Sequence, residues 1–217
     1  MEPITREIIS NNWITVILTL NLIVLVFAKV ANPLKFADFT GLFSSNKFVL
    51  FNQKGNQLSS IFNVILVLMQ ALSISTFLFV CIKVFELMNI QNEWIVFLKV
   101  FSFYLAFVVC KVLVEKIVGA IFSIDNLLDD YLFYKLSYRN FFGLILLPFN
   151  IIFIYTTEPS KIFIIIFISA ILLFNTIVMI SAYKKNENLI LNNLLYFILY
   201  LCALEIAPYF IVYKVLG

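Results

Sequence analysis

The sequence predicts an all-α fold embedded in a lipid bilayer, and three observations carry that prediction. Of 217 residues, 63% are apolar and only 12% charged, against about half and a quarter in an ordinary soluble domain. A water-soluble chain of this composition lacks the polar residues to cover its surface, whereas in lipid the outer surface is apolar too. The apolar residues also fall into stretches of about 20, the length that crosses the hydrocarbon core at about 1.5 Å per residue. Runs such as Ile162-Phe163-Ile164-Ile165-Ile166-Phe167-Ile168 do not alternate as β-barrel strands do, so they read as helix. The chain has room for a single bundle over residues 1–217 and for no soluble domain of typical size.

Six stretches qualify as spans: roughly 12–30, 61–82, 94–117, 141–157, 161–182 and 190–213. The first is too long for a signal peptide and no small-residue cleavage pattern follows it, so Trp13–Val30 is expected to be retained. Glu158-Pro159-Ser160 is a very short break, which makes spans four and five a tight antiparallel hairpin. Pro159 is tolerated at a helix start, where its missing N–H has no partner anyway.

Two connections read as amphipathic helices lying in the headgroup region. Residues 33–57 carry Phe36, Phe39 and Phe43 at near-helical spacing, interrupted by Lys35, Asp38 and Lys47. Residues 124–140 place Leu127, Tyr131, Tyr134 and Tyr138 on one face, with Asp125, Asp129, Asp130 and Lys135 elsewhere. Short soluble helices covering the end of the bundle are the alternative.

Lysine and arginine set the orientation. Arg6, Lys83, Lys161 and Lys214 fall on one side. Lys29, Lys35, Lys47, Lys54, Lys116, Lys135, Arg139, Lys184 and Lys185 fall on the other. The richer side is expected in the cytoplasm and both termini outside. No internal repeat is visible, and with five glycines and no GxxxG the helices are not organised by close glycine contacts.

Several functions are disfavoured. A net charge of +3 with scattered basic residues offers no stripe for nucleic acid. Histidine is absent, removing the commonest metal ligand and general base. Cys81, Cys110 and Cys202 sit in apolar runs at no redox or metal spacing. No Gly-rich phosphate loop or Ser/Cys–His arrangement occurs, so no catalytic residue, metal or cofactor is assigned. The cluster Asp125, Asp129 and Asp130 reads as a solvated face or helix start.

Ionisable groups within spans are the remaining suspects. Lys111 and Glu115 are four apart on span three, able to pair locally and to reach the headgroups. Glu205 lies about eight residues, roughly 12 Å, from the outer end of span six. Lys99 enters from the same side at a comparable depth, so a Glu205–Lys99 pair is the first candidate site. Pro208 is expected to bend span six beyond Glu205, and Pro148 to bend span four. Asn150, Asn175 and Gln70 are candidates to satisfy the carbonyls such bends free.

Two segments resemble a known family. They are the tail Tyr196-Phe197-Ile198-Leu199-Tyr200-Leu201-Cys202-Ala203-Leu204-Glu205-Ile206-Ala207-Pro208, and the stretch from Tyr131-Leu132-Phe133 through Asn140-Phe141-Phe142-Gly143 to Leu146-Leu147-Pro148. Both are similar to segments of Bacteroidota polytopic inner-membrane proteins classed as a domain of unknown function. The resemblance implies a multi-pass membrane protein, supplies no catalytic residues, and directs attention to Tyr131, Asn140, Gly143, Pro148, Glu205 and Pro208.

The leading expectation is a non-catalytic subunit or scaffold of a larger envelope complex, in contact with membrane lipid and other membrane subunits. The secretion and motility machines of that phylum are the complexes considered. The rival is a small proton- or ion-coupled transporter using Glu205. A membrane-embedded enzyme acting on lipid is weakest, needing a polar cleft assembled from Lys111, Glu115 and the Asp129 region.

Overall fold

A computed structural model describes residues 12–43, 48, 60–87, 92–121, 125–155 and 159–185, and among them every regular element is helical. The first apolar stretch forms α1 (Asn12–Ala31). Asn32 ends it and starts the next helix: its side-chain oxygen accepts the Lys35 N–H at 3.1 Å, and Pro33 takes the first helical position. The short α2 (Pro33–Thr40) runs into a 3-10 turn, Gly41–Phe43.

Ser60 caps α3 (Ile61–Phe85), its hydroxyl accepting the Asn63 N–H. Glu86 closes that helix in the left-handed conformation at φ 53°, its N–H turned back to the carbonyls of Ile82 and Lys83. The remaining elements are α4 (Glu93–Ile121), α5 (Asp125–Tyr155) and α6 (Lys161–Lys185).

The long helices run up and down in chain order. Trp13 of α1 meets Phe79 near the end of α3, Gln70 of α3 meets Tyr104 of α4, and Phe153 of α5 meets Phe163 of α6. Consequently α3 and α5 are parallel neighbours. Helix α3 is the axis of the bundle, touching α1, α4, α5 and α6. In its most apolar 18-residue window 67% of residues are buried, against 11% for α4. Only the central position lets α3 bury Asn63, Gln70, Ser73, Ser75 and Thr76.

One apolar cluster closes an end of the bundle: Phe39, Leu42 and Phe48 pack with Phe62, Leu66, Phe133 and Phe141, Phe48 stacking on Phe133 at 5.8 Å between ring centres. A second joins α1, α3 and α4 through Ile17, Phe79 and Phe97. A third joins α3, α5 and α6 through Phe77, Phe153 and Ile164.

Four helical segments are long and apolar enough to cross a membrane: Asn12–Ala31, Ile61–Phe85, Glu93–Ile121 and Tyr131–Tyr155. These match the first four predicted spans. The fifth corresponds to α6, of which the apolar helical segment Lys161–Ile177 falls among the fully described residues, and the predicted span 190–213 lies outside them. A count of six is therefore not reached among the described residues. Helices α5 and α6 do form the expected hairpin, with Phe149 and Phe167 ring centres 4.9 Å apart.

The 124–140 connection departs from the prediction. It is no separate headgroup helix but the first half of α5, continuous with the fourth span through Tyr155. No proline occurs between Asp125 and Leu147 to break it. Tyr131, Leu132, Phe133 and Tyr134 are each 3% exposed or less. Four consecutive buried residues cover every side of a helix, so this turn is wrapped by protein rather than laid on headgroups. In the described part of the 33–57 connection, residues 33–43 and 48, Phe39 and Phe48 turn into the core while Leu34 stays exposed.

Among the described residues, Lys29, Lys35 and Lys116 lie toward one end of the bundle and Lys83 and Lys161 toward the other, while Lys111 and Arg139 lie well inside their helices.

Candidate functional site

The site begins with how closely α3 and α5 approach. A Cβ built on Gly143 would stand 2.8 Å from the Gln70 Cα, a separation that only glycine allows. Two polar ties hold the seam. Asn150 donates from Nδ2 to the Ser73 carbonyl at 2.8 Å, and Gln70 donates from Nε2 to the Tyr104 hydroxyl, drawing in α4. Asn150 thus bridges two helices instead of serving the carbonyl freed by Pro148, which sits on an exposed face of an unbroken helix. Asn175 bonds within its own helix, to Ile171.

Helices α4 and α6 each pack on both α3 and α5. All four line a cavity of about 520 Å³. Its body is apolar, with Phe77, Val108, Leu146 and Ile171 among its walls. Its polar end comes from one face of α5, where Tyr131, Lys135, Tyr138 and Arg139 recur at helical spacing, and from Lys111 of α4. A recess of about 10 Å³, the size of one water, adjoins it and is lined by Lys111, Glu115, Lys135 and Arg139.

Glu115 is 1% exposed, and Lys135 reaches from α5 to donate to its Oε1 at 3.2 Å. The sequence offered Lys111 as the local partner; the structure adds a contact from another helix. Lys135 also stands 5.9 Å from the centre of the Tyr131 ring. Arg139 is different. Its Nε and Nη2 are shielded from solvent and have no hydrogen-bond partner among the described residues. Among the described residues, the cluster therefore brings together three cations and one carboxylate.

Of the other predicted residues, Tyr131 lines the cavity and also belongs to the core. Asn140 is 1% exposed and its Oδ1 has no hydrogen-bond partner among the described residues. Lys99 is exposed on α4 and ion-paired with none of the described residues. Glu205 and Pro208 lie outside the described residues, so the Glu205–Lys99 pair does too. The same holds for Cys202, while Cys81 is buried and Cys110 exposed. Asp129 meets Lys116 at 3.9 Å, and no group of three or more potential metal-binding side chains occurs among the described residues.

Lys135 and Arg139 were not singled out by the sequence, because treating 124–140 as a headgroup helix turned them into loop charges. Their i, i+4 spacing on the face of Tyr131, Tyr138 and Phe142 is the signal that finds them once the helix is seen to be continuous.

A family model described as a domain of unknown function (DUF4271) matches residues 14–216, and the chain belongs to that family. No curated protein and no solved structure matches it.

Proposed function

We propose that this member of the DUF4271 family is a non-catalytic subunit or scaffold of a larger envelope complex, seated in the inner membrane of a bacterium of the Bacteroidota. One observation carries the reading: only 11% of the apolar window of α4 is buried among the described residues, although it is as long as a full span. Phe103, Leu113 and Ile117 on it are more than half exposed. The interior polar groups support the same view, since Asn150, Gln70 and Lys135 all tie one helix to another. In this reading the protein secretion and motility machines are the complexes to search, and α4 supplies the docking helix.

Purification of the tagged protein from its native membrane in several mild detergents tests the proposal. Co-purification of a defined membrane partner is the expected result, and a lone monomer in every detergent overturns it. The orientation follows from the positive-inside rule, which puts the Tyr131 end in the cytoplasm and both termini in the periplasm. A reporter enzyme active only in the periplasm, inserted after Leu87, should be active. Inserted at 122–124, it should be silent.

A transporter is the second reading, and the cavity beside Glu115 is what favours it. Its test is solute or proton flux in proteoliposomes, abolished by Glu115→Gln in a folded protein. Flux unchanged by that substitution removes Glu115 from the pathway.

A further inference from the structure

From the cavity between α4 and α6 we infer that the protein binds an anionic, phosphate-bearing lipid, with the phosphate at Lys111, Lys135 and Arg139 and an acyl chain in the apolar body. This rests on different residues from the docking proposal and stands or falls separately.

Charge comes first. Among the described residues, Lys111, Lys135 and Arg139 line the recess with one carboxylate, Glu115, to which Lys135 donates. Arg139 lies inside a span, where a buried charged group is costly and calls for a partner. Its donors sharpen this, because two of them are buried and have no hydrogen-bond partner among the described residues. A guanidinium fork is shaped to give two parallel N–H···O bonds to a phosphate, and buried donors of this kind are rarely left empty.

Depth agrees with a headgroup. Lys135 and Arg139 lie four and eight residues inside the apolar segment that starts at Tyr131, or about 6 and 12 Å along the helix. Their long side chains can reach back toward the interface from there. Basic pockets between spanning helices are a recognised way to hold lipid phosphates.

Shape supplies the rest. At about 520 Å³ the cavity is in the usual range for a bound small molecule, and its walls away from the cations are apolar. Leu172 of α6 both lines the cavity and is 60% exposed, so the cavity is open at that wall. The walls thus continue onto a surface that faces lipid, which favours an occupant arriving from the bilayer over a water-soluble anion.

The test is native mass spectrometry of the full-length protein in mild detergent, titrated with dioleoylphosphatidylglycerol, dioleoylphosphatidylcholine or inorganic phosphate. Phosphatidylglycerol is expected to be retained as a discrete adduct in preference to phosphatidylcholine, with inorganic phosphate failing to compete. Arg139→Gln should lower that retention about tenfold, as loss of a bidentate charge-assisted contact does. Lys111→Gln should also lower it, and carries the test if the arginine variant does not fold.

Equal retention of the two lipids, or unchanged retention in both folded variants, overturns the inference. Efficient competition by inorganic phosphate would assign the cluster to a free phosphate instead. Increased retention in Glu205→Gln would make the chain's own carboxylate the resident anion and would equally overturn it.

Discussion

The two sides of α3 are built on different principles. Toward α1 and α5 the interface is dry and close: Gly143 admits the α3 backbone, Asn150 bonds it, and Phe39, Phe48 and Phe133 fill the end. Toward the gap between α4 and α6 the same helix faces an apolar hollow with cations at its rim. In lipid there is no hydrophobic drive between helices, so close packing and buried hydrogen bonds must hold the first side. On the second side, ion pairs Lys135–Glu115 and Lys116–Asp129 join α4 to α5. A seam made by packing suits a scaffold, whereas a gap spanned by charges suits a site that exchanges its contents.

This contrast can be broken by substitution. The largest effect should come from Lys135→Met, which leaves Glu115 buried without its cross-helix partner. Breaking such a pair costs on the order of 3–5 kcal/mol, and adding Glu115→Gln should recover much of the loss. Unfolding in a detergent titration measures both. A single variant as stable as wild type would show that the charge pair does not hold α4 in place.

Gly143→Ala probes the packed side. Its methyl group would meet Gln70 at 2.8–2.9 Å, so the helices must move apart, at a cost of about 1–3 kcal/mol. Asn150→Leu removes the bond to the Ser73 carbonyl and a longer one to its hydroxyl, and at about 0.6 kcal/mol per interhelical bond, about 1.7 at most, should cost about 1 kcal/mol. If Asn150→Leu proved as costly as Gly143→Ala, hydrogen bonding rather than close approach would be the main tie of the seam. The smallest effect belongs to the end away from Tyr131. Lys83 and Glu93 pair at 3.2 Å but are 42% and 34% exposed, so Lys83→Gln should change stability by less than about 1 kcal/mol.

What the sequence made legible follows from the strength of each signal. Long apolar runs announce helices because nothing else satisfies the backbone in lipid, and α1, α3 and α4 begin within two residues of the predicted starts. The halves of α5 were separated because Asp125, Asp129, Asp130, Lys135 and Arg139 lower the mean hydropathy of its first turns. Charge there reports the site at the bundle end, not the end of the helix.

The same blurring hid the site. Lys111 and Glu115 stood out as charges in an apolar run, but their neighbours Lys135 and Arg139 come from another helix. One-dimensional spacing does not reveal which helices meet. Gly143 drew attention through the family resemblance alone, and its reason, a backbone passing at Gln70, is a property of two helices together.

Photo-crosslinking in intact cells tests the subunit reading most directly. A photoreactive residue at Phe103, which is 71% exposed on α4, should give a discrete protein adduct, and the same residue at the buried Phe79 of α3 should give none. Adducts to lipid alone at Phe103, Leu113 and Ile117 would contradict a docking role for α4.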